Sequence, residues 1–333
     1  TENHPVLDFK LRTAGVANIK WPKSLSNTAD VKAFIKALLD LDMVDEQKVT
    51  ARADGFAELK ASLADVQIND QVKNLAKRYG KAVKPLILID EDTVGKEAVK
   101  LFAAAAVLAG KAGAAYRGII IVRSKNNSQG AIDMGFVLPA GAMKQGIDSG
   151  KIKALVIIGE NPAACPEKMA LLKRLSFLAV YDIFLTETAS AADVVVPLVS
   201  SAETEGTYTR SDRRIQAVHA ALQPKTGKDT LHTLLDMLGY FGLKYDGMAD
   251  VREAIAQEVP VYAGMSAADF DMDTVYWPHS KQNVNGVNVL YTDGFATGNQ
   301  KAALPIVQDG ALFVDKKKYD TVEQYFEKIV KNS

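Results

Sequence analysis

Apolar and polar positions alternate differently in successive stretches of the chain. Up to residue 85, apolar residues recur at spacings of three and four. Val31, Phe34, Ile35, Leu38 and Leu39 follow Asn27 and Thr28, either of which can cap a helix. Phe56, Leu59 and Leu63 predict a second helix. Val72, Leu75, Ala76 and Tyr79 predict a third, with Gly80 as its stop. From Pro85 the apolar residues run together. Leu86-Ile87-Leu88-Ile89 reads as a strand buried on both faces. An alanine-dense helix follows over 96–109, and a further strand over 117–123 around Ile119-Ile120-Ile121-Val122.

The clearest strand is Ala154-Leu155-Val156-Ile157-Ile158. After it come a helix over 166–175, a strand over 177–182, a short helix over 186–192 and a strand ending Val194-Val195-Val196-Pro197. Strand, helix, strand, helix, strand is half of a Rossmann-like unit with parallel strands. The fold class is therefore α/β, with Rossmann-like parallel sheets and flanking helices. After Pro224 the chain reads as helical, with Leu231, Leu234, Leu235 and Leu238, and from Asp269 as loop-rich. Residues 316–333 form a charged amphipathic pattern carrying Tyr319, Val322, Tyr325, Phe326 and Ile329. It suits a helix that docks on the parent fold or, alternatively, on a partner. The organisation read from these shifts is a mostly helical part over 1–85, a Rossmann-like dinucleotide-cofactor domain over 86–240, and a helical, loop-rich extension over 241–333 ending in that docking helix.

Composition narrows the function classes. Lys plus Arg is 40 and Asp plus Glu is 40, so the net charge is zero and a general nucleic-acid binder is disfavoured. The single cysteine, Cys165, allows no disulfide within the chain and no four-cysteine metal or cluster site. His4, His219, His232 and His279 have no metal spacing. No apolar run reaches the roughly 20 residues of a membrane span. Residues 1–5 do not read as a signal peptide. A cytoplasmic location is expected, or attachment to the inner membrane through a complex, without direct membrane insertion.

Candidate chemistry gathers at strand ends. Gly159-Glu160-Asn161-Pro162 follows the strongest strand, at the edge where open α/β sheets bind ligands. Gly159 permits a tight turn; Glu160 and Asn161 offer polar groups. Asp182 ends the next strand and can accept from a ribose hydroxyl or a guanine edge, and Thr186-Glu187-Thr188 opens the helix after it. The polar stretch over 201–216 reads either as a solvated turn region or as a wrap around an anionic cofactor, with Arg213 and Arg214 on its phosphates. Asn126, Asn127 and Gln129 can read a heterocycle edge or tie down their own loop. Cys165 opens a helix but has no histidine near it in sequence.

In this order these segments resemble the molybdopterin oxidoreductase family, in the branch of formate dehydrogenase catalytic subunits and the large peripheral-arm subunit of NADH-quinone oxidoreductase (complex I). The resemblance rests on Gly159-Glu160-Asn161-Pro162, on Asp182 through Ala189, on Ala192-Asp193-Val194-Val195-Val196-Pro197, and on Glu203 through Gln216. Asn126 through Gly130, Asp133-Met134-Gly135 and Asp293-Gly294-Phe295-Ala296-Thr297 extend it over most of the chain. It implies middle domains like those of formate dehydrogenase and DMSO reductase. It also implies molybdopterin guanine dinucleotide in the active members, and leaves open whether this chain binds any. Gly159, Glu160, Asn161, Asp182, Thr186, Thr188, Glu205, Gly206 and Thr207 would lie near that dinucleotide. The resemblance supplies no catalytic residue and no metal ligand within the chain. Arg210 stands where the family usually has Asn, and a cation there would alter or fill the pterin site.

Three readings follow, in order, the first two from the resemblance and the third from the polar strand-end loops, which carry no metal-ligand cluster. The first is the molybdopterin-oxidoreductase-like part of a large NADH-quinone oxidoreductase subunit. It would be a scaffold in an NADH-linked electron-transfer assembly, partnered by other subunits including iron–sulfur proteins. The second is a piece of a formate-dehydrogenase-like molybdenum or tungsten enzyme. The third is a nucleotide- or partner-binding module without redox chemistry. In none of them is the isolated chain a complete catalyst.

Overall fold

The computed structural model describes residues 11, 13–15, 19–91, 93–123, 125–136, 140–272, 275–279, 283 and 285–313. The docking helix expected over 316–333 lies outside them. The chain forms two compact units, one built on residues up to 124 together with those from 289 onward, the other on 125–288. The boundaries read from sequence, after 85 and after 240, fall inside these units. Shifts in composition mark changes of local structure, whereas the units are set by contacts between distant segments.

In the first unit, α1 (Thr28–Asp40) starts at Asn27. The Asn27 side chain accepts from Ala29 N, and Asp30 accepts in return from Asn27 N. α1 buries Val31, Phe34, Ile35 and Leu38, the face that the spacing predicts. Next come α2 (Glu46–Arg52), β1 (Ala53–Asp54), α3 (Phe56–Ser62) and α4 (Asp70–Lys81). Gly80 does not stop α4 but lies within its last turn. A Cβ there would sit 2.7 Å from the Met43 side chain, so the glycine serves close packing. The end of α4 is closed instead by Lys111, whose ammonium donates to the Gly80 and Ala82 carbonyls at 3.2 and 2.9 Å. Burial, with the Arg117 charge added, pulls that lysine below its ordinary pKa.

β2 (Leu86–Asp90), α5 (Lys96–Leu108) and β3 (Gly118–Val122) follow, and β2 and β3 pair in parallel from Leu86–Gly118 to Asp90–Val122. Burial on both faces, expected for β2, is not found: Ile89 is buried but Leu86 is 46% exposed. An apolar run reports what a strand is able to bury, not what covers it. The chain then returns to this unit from far away. Ala302 and Ala303 pair in parallel with β1, single bridges join Asn27 to Ala311 and Val94 to Phe313, and Leu304, Val307 and Leu312 enter the same core as α1 and α5.

The second unit opens with α6 (Ser128–Asp133) and α7 (Ala140–Asp148). It continues through β4 (Ala154–Ile158), α8 (Pro166–Leu172), β5 (Phe177–Asp182), α9 (Glu187–Ser190) and β6 (Val194–Pro197). The three strands are parallel with β5 at the centre. On one face Ile157, Leu178 and Val180 pack with Leu172 and Ala189. The polar stretch after β6 is an antiparallel hairpin, β7 (Gly206–Thr209) and β8 (Arg214–Val218), and β9 (Val275–Tyr276) adds to β8. Its core is Ile215, Tyr262, Met265, Phe270 and Val275. α10 (Thr230–Tyr240) lies where the leucine spacing puts it. α11 (Met248–Glu258) carries only a weak apolar stripe, too faint to predict a helix from the pattern.

Candidate functional site

The loops after β4 and β5 meet through side chains. β4 runs into Gly159, whose φ of 64° is left-handed and whose absent Cβ would meet nothing within 4 Å. The turn requires glycine, and the space above it is open. Asn161 then reaches to α9. Its amide oxygen accepts from Thr188 N at 3.1 Å and Thr188 Oγ1 at 2.8 Å, and its Nδ2 donates to Glu187 at 2.6 Å. Thr188 is fully buried, and its hydroxyl also accepts from Ala163 N at 2.9 Å. The Asn161 amide and the Thr188 hydroxyl are both engaged with protein, so Asn161 and Thr188 lock two strand-end loops together. The Asn161 amide, followed by the helix's own backbone, holds the Glu187 carboxyl below its ordinary pKa. Glu160 pairs with Lys125, ahead of α6.

Asp182 sits at the end of the central strand with one oxygen engaged: Oδ1 accepts from Ile183 N at 2.7 Å and Phe184 N at 3.2 Å. Among the described residues its Oδ2 has no protein partner. Thr186 caps α9 by accepting from Ala189 N. Between them Ile183, Phe184 and Leu185 project into solvent, Leu185 with 77% of its surface exposed.

Glu205, Gly206 and Thr207 lie at the start of β7, in the other sheet. Among the described residues no hydrogen bond joins them to the Asn161 knot. What fixes their strand is a network that begins in α6. Thr209 N donates to Asn127 Oδ1 at 2.9 Å, and the Thr209 hydroxyl lies 2.8 Å from Tyr262 Oη. Tyr262 donates to Asp133 Oδ2 at 2.9 Å, and Gln129 donates to Asp133 Oδ1 at 2.7 Å. Burial, more than any neighbour, raises the Tyr262 pKa, so the phenol stays a donor. Asn127 and Gln129 therefore bind protein, but not as bonds within their own loop: Asn127 holds β7 through Thr209, and Gln129 reaches Asp133 inside α6. Tyr262 escapes a reading of the sequence because nothing within its own segment marks it.

The phosphate role read for Arg213 and Arg214 is overturned. Arg213, left-handed at φ 71°, donates to the carbonyls of Trp277, Val287 and Asn288 and lies over the Trp277 ring. Arg214 donates to the Tyr276 hydroxyl and lies over that ring. Both guanidinium groups hold the hairpin to the segment around β9. Arg210, by contrast, is exposed, with Asp212 3.6 Å from its Nε. Cys165 Sγ donates to Glu167 at 2.8 Å. Among the described residues no three His, Cys, Asp or Glu side chains are grouped to hold a metal ion.

Both the sequence and the fold have known relatives. The family model for molybdopterin oxidoreductase matches residues 19–230. The F420-dependent formate dehydrogenase subunit alpha of Methanocaldococcus jannaschii is 29% identical, over 84% of this chain and 49% of that protein. Formate dehydrogenase H of Escherichia coli is 26% identical, over 87% and 49%. The assimilatory nitrate reductase catalytic subunit of Bacillus subtilis is 26% identical, over 85% and 48%. The chain thus spans about half the length of the relatives it matches. Among solved structures, acetylene hydratase from Pelobacter acetylenicus superposes with a TM-score of 0.61 at 14% identity, over 84% of this chain and 48% of that one, a likeness of fold alone. The matched family model covers more than half of the sequence and takes in both strand-end loops, and on that ground the chain belongs to the molybdopterin oxidoreductase family.

Proposed function

We propose that the chain is the pterin-carrying middle portion of a formate-dehydrogenase-like molybdenum or tungsten enzyme. This reverses the order read from sequence, in which a scaffold of the NADH-quinone oxidoreductase type came first. The relatives named above, two formate dehydrogenases and a nitrate reductase, favour the enzyme reading. The observation that carries it is Asp182. Its carboxylate ends the central parallel strand, is fixed through one oxygen by two backbone N–H groups, and among the described residues has the other oxygen without a protein partner. A fixed acceptor beside the open turn at Gly159 suits the nucleotide end of a large cofactor.

When bound, such a cofactor supplies the two-electron chemistry. The chain's own part is binding and orientation. Asp182 accepts from the base or ribose, and Gly159 lets backbone come close. Asn161 and Thr188 hold the two loops at fixed separation, and Thr186 caps the helix that carries Thr188. Glu160 and the strand Glu205-Gly206-Thr207 line the approach in the same reading. The guanine dinucleotide form, iron–sulfur partners and other subunits of an electron-transfer complex belong to this proposal. No helix among the described residues is long and apolar enough to cross a membrane.

The test is pterin and metal content of the chain purified from a host that makes the cofactor, with acid release of GMP as the marker of a guanine dinucleotide. Pterin should co-purify with the wild type, and Asp182→Asn should lower its occupancy by about tenfold, the loss expected of one charge-assisted hydrogen bond. A folded chain free of pterin and GMP overturns the proposal in favour of the scaffold reading, for which Arg210 at the family's Asn position speaks.

A further inference from the structure

The first unit contains a cavity of about 500 Å³ that the cofactor reading does not use. Its apolar lining is Met43 and Val107, with Val49 and Leu108 closed into the core behind them. Its wall is Arg52, at the end of α2, with Phe295; the guanidinium carbon lies 5.6 Å from that ring's centre. Arg52 donates to the Tyr291 carbonyl. A guanidinium has about five N–H donors to place, and among the described residues no carboxylate pairs with this one. The rim charge is already balanced, because Lys48 is 2.8 Å from Asp45. Asp45 also sets a limit, since a second negative charge on a ligand would face it.

A half-buried guanidinium without a counter-charge, beside an apolar floor, is complementary to a ligand with one negative charge and a hydrophobic body. We infer that this cavity binds an amphipathic organic monoanion, its carboxylate on Arg52 and its apolar body over Met43 and Val107. The cavity belongs to the first unit and Asp182 to the second, and the inference does not depend on the proposed cofactor.

The probe is 2-naphthoate, titrated into the full chain carrying 13C-labelled methyl groups. Saturable shifts at Met43, Val49, Val107 and Leu108 are expected. Arg52→Gln should weaken 2-naphthoate by about tenfold, the loss of one charge-assisted contact, and leave the neutral 2-naphthamide unchanged. Ala51→Trp, on the exposed rim, should block both ligands without disturbing the core. The inference is overturned by the absence of saturable binding, by shifts centred on other methyl groups such as those of Val156 and Ile158, or by equal naphthoate affinity in wild type and Arg52→Gln.

Discussion

Replacing Thr188 by Val keeps the size and branching of the side chain and removes only its hydroxyl. That hydroxyl makes two hydrogen bonds, to Asn161 Oδ1 at 2.8 Å and from Ala163 N at 2.9 Å, at a position with no solvent access. Each bond contributes about 1 kcal/mol, and the Ala163 N–H, left buried without an acceptor, adds its desolvation cost, so the total is roughly 2–4 kcal/mol. Asn161 keeps the bond from Thr188 N and does not lose its anchor entirely. For a unit of this size the loss corresponds to a Tm lower by about 5–15 °C. Urea denaturation of wild type, Thr188→Val and Thr188→Ser separates the causes. The serine variant keeps the hydroxyl and loses one methyl group, costing about 1 kcal/mol. The reasoning fails if Thr188→Val unfolds within about 0.5 kcal/mol of wild type, or if the serine variant is the less stable of the two.

Tyr262→Phe removes the two hydrogen bonds by which one buried hydroxyl links Thr209 to Asp133, so we expect a loss of about 2–3 kcal/mol in denaturant unfolding. Gly113→Ala should cost more than about 3 kcal/mol by the same measurement, because φ there is +81° and the new Cβ would stand 2.2 Å from the Tyr291 carbonyl oxygen. Glu203 caps its own turn, and the Ser200 hydroxyl, ahead of the Lys225 and Ser200 backbone N–H groups, holds its carboxyl below the ordinary 4.5. A depressed carboxyl stabilises the fold above its unfolded pKa, and that contribution disappears as pH falls through the lower folded value. Glu203→Gln should therefore flatten the acid side of the stability–pH curve below about pH 5; an unchanged slope would remove Glu203 from the account.

Much of the second unit is legible in local pattern. Each strand from β4 to β6 is a short apolar run ended by Gly, Asp or Pro, and the connections between them suit parallel pairing through compact helices. The position of Asp182 follows from that alone, because a residue at the end of a central strand is at the sheet's carboxyl edge wherever the sheet lies. The hairpin from Gly206 to Val218 is less legible. Its strands are rich in Thr, Arg and Gln, and their pairing is set by Ile215 against Tyr262 and Phe270, residues outside the segment. Gly80 misleads for a related reason: a glycine signals a helix end when judged by backbone freedom, but here it leaves room for Met43, some forty residues earlier.

The class of fold, the helices and strands with strong periodicity, and the family can all be read along the chain, since they depend on neighbouring residues and motif order. Which polar groups are spent and which are left is settled by packing in three dimensions. Arg213 and Arg214 read as free cations until three distant carbonyls and two aromatic rings are brought to them. That the Asn161 amide joins two loops is visible only once α9 is brought to it. Ala302 and Ala303 carry no strand signal, yet they pair with Ala53 and Asp54 once Leu304 and Leu312 are drawn into the first core. In each case the deciding energy is burial or a hydrogen bond between segments far apart in the chain, which no local pattern encodes.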